Sequence, residues 1–165
     1  MAFVGTKKIF FLLFVLFLIV LFSFLTMNET ENNGKNGLLG NKNMPERGSV
    51  AVKNTRISVD IADTPKKRTL GLSDRPSLAW DEGMFFIFDS PGRFSFWMKD
   101  MNFPIDIIWI DAEFKVADIT KNAVPASFPK IFEPRTPVLY VLETVAGWAD
   151  KNGIKIGDKV LFSRQ

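Results

Sequence analysis

A chain of 165 residues has room for one domain and an appendage, and its 21 basic against 18 acidic groups leave a net charge of +3. That excess sits mainly before residue 50: positions 50–165 carry 16 basic and 15 acidic groups, so no basic stripe for phosphates is expected and nucleic acid is not an expected partner. With no Cys and no His, the sequence excludes a cysteine nucleophile, a Ser-His-Asp triad, a CxxC redox pair, the usual zinc sites and a cysteine-linked lipid anchor.

From Ile9 to Leu25, 17 residues are interrupted only by Ser23 and include six Phe. At about 1.5 Å rise per residue the run spans roughly 25 Å, the short end of what crosses a bilayer. Lys7 and Lys8 precede it, and Glu29 and Glu31 follow it. The positive-inside bias then places residues 1–8 in the cytoplasm, a signal anchor over 9–27 in the membrane and the remainder outside. A cleaved signal peptide is the competing reading. The run is longer than a usual signal core, however, and Ser23-Phe24-Leu25-Thr26-Met27-Asn28 offers no pair of small residues spaced for cleavage. Residues 28–49 turn to Asn, Gly, Glu and Lys with only Leu38-Leu39 apolar, the composition of a disordered tether.

Residues 50–165 are expected to form the globular domain. Val50 and Val52, then Ile57, Val59 and Ile61, alternate with polar or small neighbours as half-buried strands do, with Asn54-Thr55 as the turn. Thr64-Pro65 before Lys66 to Gly71 reads as a short helix with Thr64 as N-cap, Pro65 in the first turn and Gly71 as the stop. Gly83 to Phe88 (GMFFIF) suits a strand covered on both faces, and Ser90-Pro91-Gly92 a turn. Phe94–Met98, Ile105–Ile110 and Phe114–Ile119 read as further strands, the last two forming a hairpin. The stretch from Thr120 to Pro137 carries four Pro and is expected as a surface loop. Val138–Leu142 then reads as a strand, Val145–Asn152 as a short helix and Val160–Phe162 as the last strand. About eight short strands with short connections predict a mainly β domain. The expected form is a small antiparallel sandwich or partly closed barrel with one or two short helices, behind a single transmembrane helix.

The order of these segments resembles a known family. Arg68-Thr69-Leu70-Gly71-Leu72 with Arg75, GMFFIF at Gly83, FWMKDMNFPIDIIWID from Phe96 to Asp111, YVLE at Tyr140 with Gly147, and Gly153-Ile154-Lys155-Ile156-Gly157-Asp158 resemble the family catalogued as domain of unknown function 192. The resemblance covers residues 50–165, with Asp100-Met101 where the family more often has Asn-Thr and Ser73 where Met is frequent. It implies a compact β-rich extracytoplasmic domain, often behind a signal or anchor helix, and supplies no chemistry of its own.

The residues that remain for chemistry are lysines, arginines and carboxylates. Lys99 ends the apolar Phe94–Met98 segment, where partial desolvation suits a base, although a strand-end charge paired to Asp106 is the plainer reading. Asp106 shares its strand face with Ile108 and Ile110, so alternation turns it inward, with Lys99, Arg68 or Arg75 as expected partners. Glu143 ends the Tyr140–Leu142 run and, with Asp106, suggests two carboxylates across a cleft; Glu82 is a weaker candidate of the same kind. Trp97, like Trp80, Trp109 and Trp148, either stacks on a ligand or fills the core, and Phe128 and Phe132 either fold back or mark a contact surface.

Two functions follow. The first is a non-catalytic binding module for an envelope polysaccharide or peptide, its cleft framed by Arg68, Arg75, Trp97, Lys99, Asp106 and Glu143. The second is a hydrolase or transferase in which Asp106, Glu143 and Lys99 lie within about 10 Å of each other. No cofactor and no metal is expected, since no Asp-rich calcium loop is present.

Overall fold

The computed structural model describes residues 46–165. The expected anchor from Ile9 to Leu25 and the tether up to residue 45 lie outside them. Seven strands, β1 (Arg47–Val52), β2 (Thr55–Ala62), β3 (Glu82–Gly92), β4 (Ile105–Ile110), β5 (Val116–Ala123), β6 (Val138–Val145) and β7 (Val160–Arg164), form one sheet in the order β5-β4-β6-β3-β2-β1-β7. Two helices accompany them: α1 (Pro65–Leu70) and α2 (Trp148–Lys151).

Two features correct the expected architecture. The sheet is mixed, because β2 and β3 pair in parallel, Ser58 opposite Glu82 through Ala62 opposite Phe86. A parallel pair needs a crossover of about a dozen residues or more, and the segment between the two strands, carrying α1, provides it. The domain is also one open sheet rather than a sandwich or barrel. Its edges, β5 and β7, share no ladder; they are tied at one point by Val116 N–H to the Asp158 carbonyl (2.9 Å) and Val160 N–H to the Phe114 carbonyl (2.8 Å).

The local signals operate as their chemistry dictates. Thr64 caps α1 through Oγ1, which accepts from Lys67 N–H, and Gly71 leaves the helix with φ of 53°. β1 begins at Arg47, inside the segment whose composition reads as tether, because Gly48 lets β7 close on it: a Cβ there would lie 2.8 Å from Phe162 and from the Ser163 carbonyl. Ser90-Pro91-Gly92 is not a turn but the end of β3, where the pairing with β6 shifts register between Ile87 and Gly92. The expected Phe94–Met98 strand makes a single bridge, Phe96 to Phe132.

Both sheet faces are buried, which is why β3 contains the continuous apolar run Gly83 to Phe88 and why Asp106 is the single polar residue of β4. On one face Phe85, Ile108 and Leu142 pack with Trp148 and Ala149 of α2. On the other, Phe86, Ile107, Trp109 and Val141 pack with Leu72, from the turn after α1, and Met98, from the segment between β3 and β4. The two faces are called here the α2 face and the α1 face.

Gly83 sits where these layers are tightest. A Cβ at this position would meet the Glu143 carbonyl at 2.8 Å and Ile57 Cδ1 at 3.1 Å, and the first of these is backbone in the neighbouring strand. Gly83→Ala is therefore expected to lower stability by about 2–3 kcal/mol, since the ladder must part to admit the methyl. Urea unfolding followed by circular dichroism checks this; a variant within about 0.5 kcal/mol of the parent would show that β6 gives way freely.

Candidate functional site

A cleft of about 450 Å³ opens on the α1 face. Residues of α1 and the turn after it, from Arg68 to Ser73, form one wall, and the Phe94–Trp97 segment forms the other with Met101. The floor comes from the sheet: Phe86 and Phe88 of β3 and Glu143 of β6. Aromatic contacts hold these walls in place. Phe96 meets the edges of Phe86 (5.0 Å between centroids) and Trp109 (5.2 Å), while Phe94 stacks on Phe88 at 3.5 Å.

Glu143 is the unusual group. It is 5% exposed, and among the described residues its carboxyl has neither a hydrogen bond nor an ion pair. Burial pushes it up to about 8, the Arg75 charge offsetting only part of the effect. At neutral pH it is thus mainly an uncharged acid, able both to donate and to accept a hydrogen bond.

The other expected residues are distributed differently. Arg68 lines the cleft, but its guanidinium is already spent: Nη1 donates to the carbonyls of Asp63 (2.9 Å) and Ile87 (2.7 Å), Nη2 lies 3.6 Å from Asp89, and the group covers the Phe88 ring. Arg75 pairs with Asp60 at 2.7 Å rather than with Asp106. Asp60 in turn lies in one cross-strand row with Met84 and Glu143, so Arg75 belongs to the same face as the cleft floor. Trp97 is 53% exposed at the cleft rim. Trp109 and Trp148 are core residues, Trp80 is partly covered by Lys151 at 4.3 Å, Phe132 packs on the α1-face core and Phe128 is exposed.

Asp106 and Lys99 do not join this cleft. Asp106 stands opposite Thr144 and Glu143 opposite Ile107, so the two carboxylates point to opposite faces of the sheet and the expected pair across a cleft does not form. No arginine or lysine partners Asp106 among the described residues. Its Oδ1 accepts from Asn122 N–H and its Oδ2 from Ala149 N–H, both at 2.9 Å, which ties β5 and α2 to β4. Lys99 is exposed, and neither its ammonium nor its stem lines the cleft; its carbonyl accepts from Ser73 Oγ (3.2 Å).

Sequence reasoning missed Phe86, Phe88, Phe94, Ser73 and Met101 as cleft residues. The aromatic ones read as core, and only the crossover that brings α1 over β3 turns their edges into walls. The position of Glu143 at the end of an apolar run was the available signal.

The comparisons with known proteins agree with this fold. A UPF0127 protein of Thermococcus sibiricus is 35% identical over 104 residues, 62% of this chain and 64% of that protein's length. A solved structure from Sinorhizobium meliloti, which carries the provisional description of a transcription regulator, superposes with a TM-score of 0.66 at 33% identity, covering 72% of this chain and 94% of that one. A protein of unknown function from Novosphingobium aromaticivorans superposes at 0.64 with 36% identity, covering 68% and 83%. The profile of the family DUF192, described as Uncharacterized ACR, COG1430, matches residues 48–162, nearly the whole of the described domain, and the chain belongs to that family.

Proposed function

We propose that the chain is a non-catalytic binding module, anchored in a membrane through Ile9–Leu25 with its domain outside, and that the cleft on the α1 face takes an envelope polymer or peptide. The observation that carries this reading is Glu143: a buried carboxyl without a partner among the described residues, opening into a cleft whose rim holds a half-exposed tryptophan. Burying such a group has a cost that a ligand supplying the missing hydrogen bonds would offset. Trp97 at the rim presents a flat apolar surface suited to stacking. Aromatic walls with a few convergent polar groups are the usual make-up of a ligand site. A regulator role like that described for the Sinorhizobium meliloti protein gains no support from net charge, since residues 50–165 carry 16 basic against 15 acidic groups. The alternative of a carboxylate and lysine enzyme loses its support, since only Glu143 of its three residues reaches the cleft.

The test is a screen of the full chain in detergent against peptidoglycan fragments, envelope glycans and short peptides, with Trp97→Ala and Glu143→Gln beside the parent. Trp97→Ala is expected to weaken binding about tenfold or more while leaving the thermal midpoint unchanged, because the ring is exposed at the rim. Binding indifferent to both substitutions would place the ligand elsewhere on the molecule.

A further inference from the structure

The Phe94–Trp97 wall is joined to the fold by a single bridge and leaves one side of its backbone unpaired among the described residues. Phe96 uses both backbone groups on Phe132: its N–H reaches the Phe132 carbonyl at 2.9 Å, and Phe132 N–H reaches the Phe96 carbonyl at 2.8 Å. In an extended chain the groups of successive residues point to opposite sides, so those of Ser95 and Trp97 point away from Phe132. That side is the cleft, with α1 across it. Among the described residues, neither the N–H nor the carbonyl of Ser95 or Trp97 has a backbone partner, and the Ser95 hydroxyl turns outward to Glu133 at 2.7 Å.

We propose that the cleft binds an extended peptide, which adds as an antiparallel strand along Ser95–Trp97 and lowers one side chain between that wall and the Arg68–Ser73 wall to Glu143. This rests on the cleft being the binding site and names its ligand class. Strand addition supplies four hydrogen bonds: two residues of the peptide, separated by one other residue, each exchange an N–H and a carbonyl with Ser95 and Trp97. The peptide residue between them then lies opposite Phe96 and shares its face. Phe96 points down onto Phe86 and Trp109, so that residue descends toward Phe86, Phe88 and Glu143. The walls suit an aliphatic stem, and a carboxylic acid matches an amide tip in both donor and acceptor. Gln is the side chain with that form.

The cleft's electrostatics fit a neutral backbone. Arg68, the cation in its lining, is already held by two carbonyls and Asp89, and the floor carboxyl has no counter-charge within ion-pair distance among the described residues. A phosphorylated or strongly anionic chain would find no free cation there among the described residues.

The experiment uses the full chain in detergent and fluorescein-labelled, end-blocked heptapeptides of alternating Thr and Val with Gln, Leu or Glu at the centre, read by anisotropy. Binding is expected for the Gln peptide and weaker binding for the Glu peptide. N-methylation of the two residues flanking the centre, which removes the edge-facing N–H groups, is expected to lose about tenfold. N-methylation of the central residue, whose N–H faces away from the edge, is expected to change affinity less than threefold. Glu143→Leu should abolish the preference for Gln over Leu. Equal sensitivity to both N-methylation patterns, or no peptide binding at 1 mM, would overturn strand addition. If glycan fragments then bind the parent and lose that binding in Trp97→Ala, the cleft survives as the site and only the peptide assignment fails; if nothing binds in a Trp97-dependent way, both readings fall.

Discussion

Asp106→Ala is expected to cost roughly 3–5 kcal/mol and to leave the domain largely unfolded at 37 °C. The carboxylate is 1% exposed and accepts two backbone N–H groups, from Asn122 and Ala149. Deleting it removes two charge-assisted bonds, each worth about 1–3 kcal/mol, and strands the buried Ala149 N–H along with that of Asn122. The damage is not local, because those bonds pin the end of β5 and the start of α2 to β4, and α2 carries Trp148 and Ala149 into the α2-face core. Asp106→Asn keeps one acceptor but turns an NH₂ toward the second donor, so an intermediate loss is expected. Equilibrium urea unfolding of the parent and both variants measures the order. Should Asp106→Ala fall within 1 kcal/mol of the parent, the carboxylate is not holding these elements together.

The stability of the domain is expected to fall as pH rises from about 5 to about 8, by roughly 3–5 kcal/mol, through Glu143. The sign follows from proton counts. The folded-state carboxyl is held up near 8 by burial, whereas the unfolded chain releases that proton near 4.5. Between those values the native state holds a proton that the unfolded state lacks, so each unit of pH costs about 1.36 kcal/mol until the folded group itself ionises. Asp63, Asp118 and Asp158 work in a separate window. Lysine or arginine partners and backbone amides hold these carboxyls below their usual value, so their contribution is present at neutral pH and is lost only as pH falls through the acid range. Glu143→Gln keeps the shape and removes the titration, so its stability should be nearly level from pH 5.5 to 8. A parent that is equally level over that range would mean Glu143 is solvated or paired. Ligand affinity at the cleft is expected to follow the same proton and to weaken above pH 8, where the floor group becomes a carboxylate.

How far residues announce structure differs by element. The cap and stop of α1 were legible because Thr64, Pro65 and Gly71 act within one turn of chain. β3 was legible because the unbroken apolar run Gly83 to Phe88 needs cover on both faces, and β4 because Asn102 and Pro104 set off the mostly apolar Ile105–Ile110. The parallel pairing of β2 with β3 was not, since strand direction depends on where a connection lands rather than on the strands it joins. β1 hid its first residues behind a tether-like composition, because Gly48 is chosen by the closeness of β7, a segment more than a hundred residues away.

The candidate site divides along the same line. The sequence alone determined which chemistries are missing, which family the domain resembles and that Asp106 turns inward, because composition and strand alternation are properties of the local chain. Only the tertiary structure decided what those residues do. Register across β4 and β6 sent Asp106 and Glu143 to opposite faces, the one satisfied by two amides and the other left without a partner among the described residues. The crossover carrying α1 then built a cleft over the unpartnered one, since contact between segments far apart in the chain is set by how the sheet is ordered.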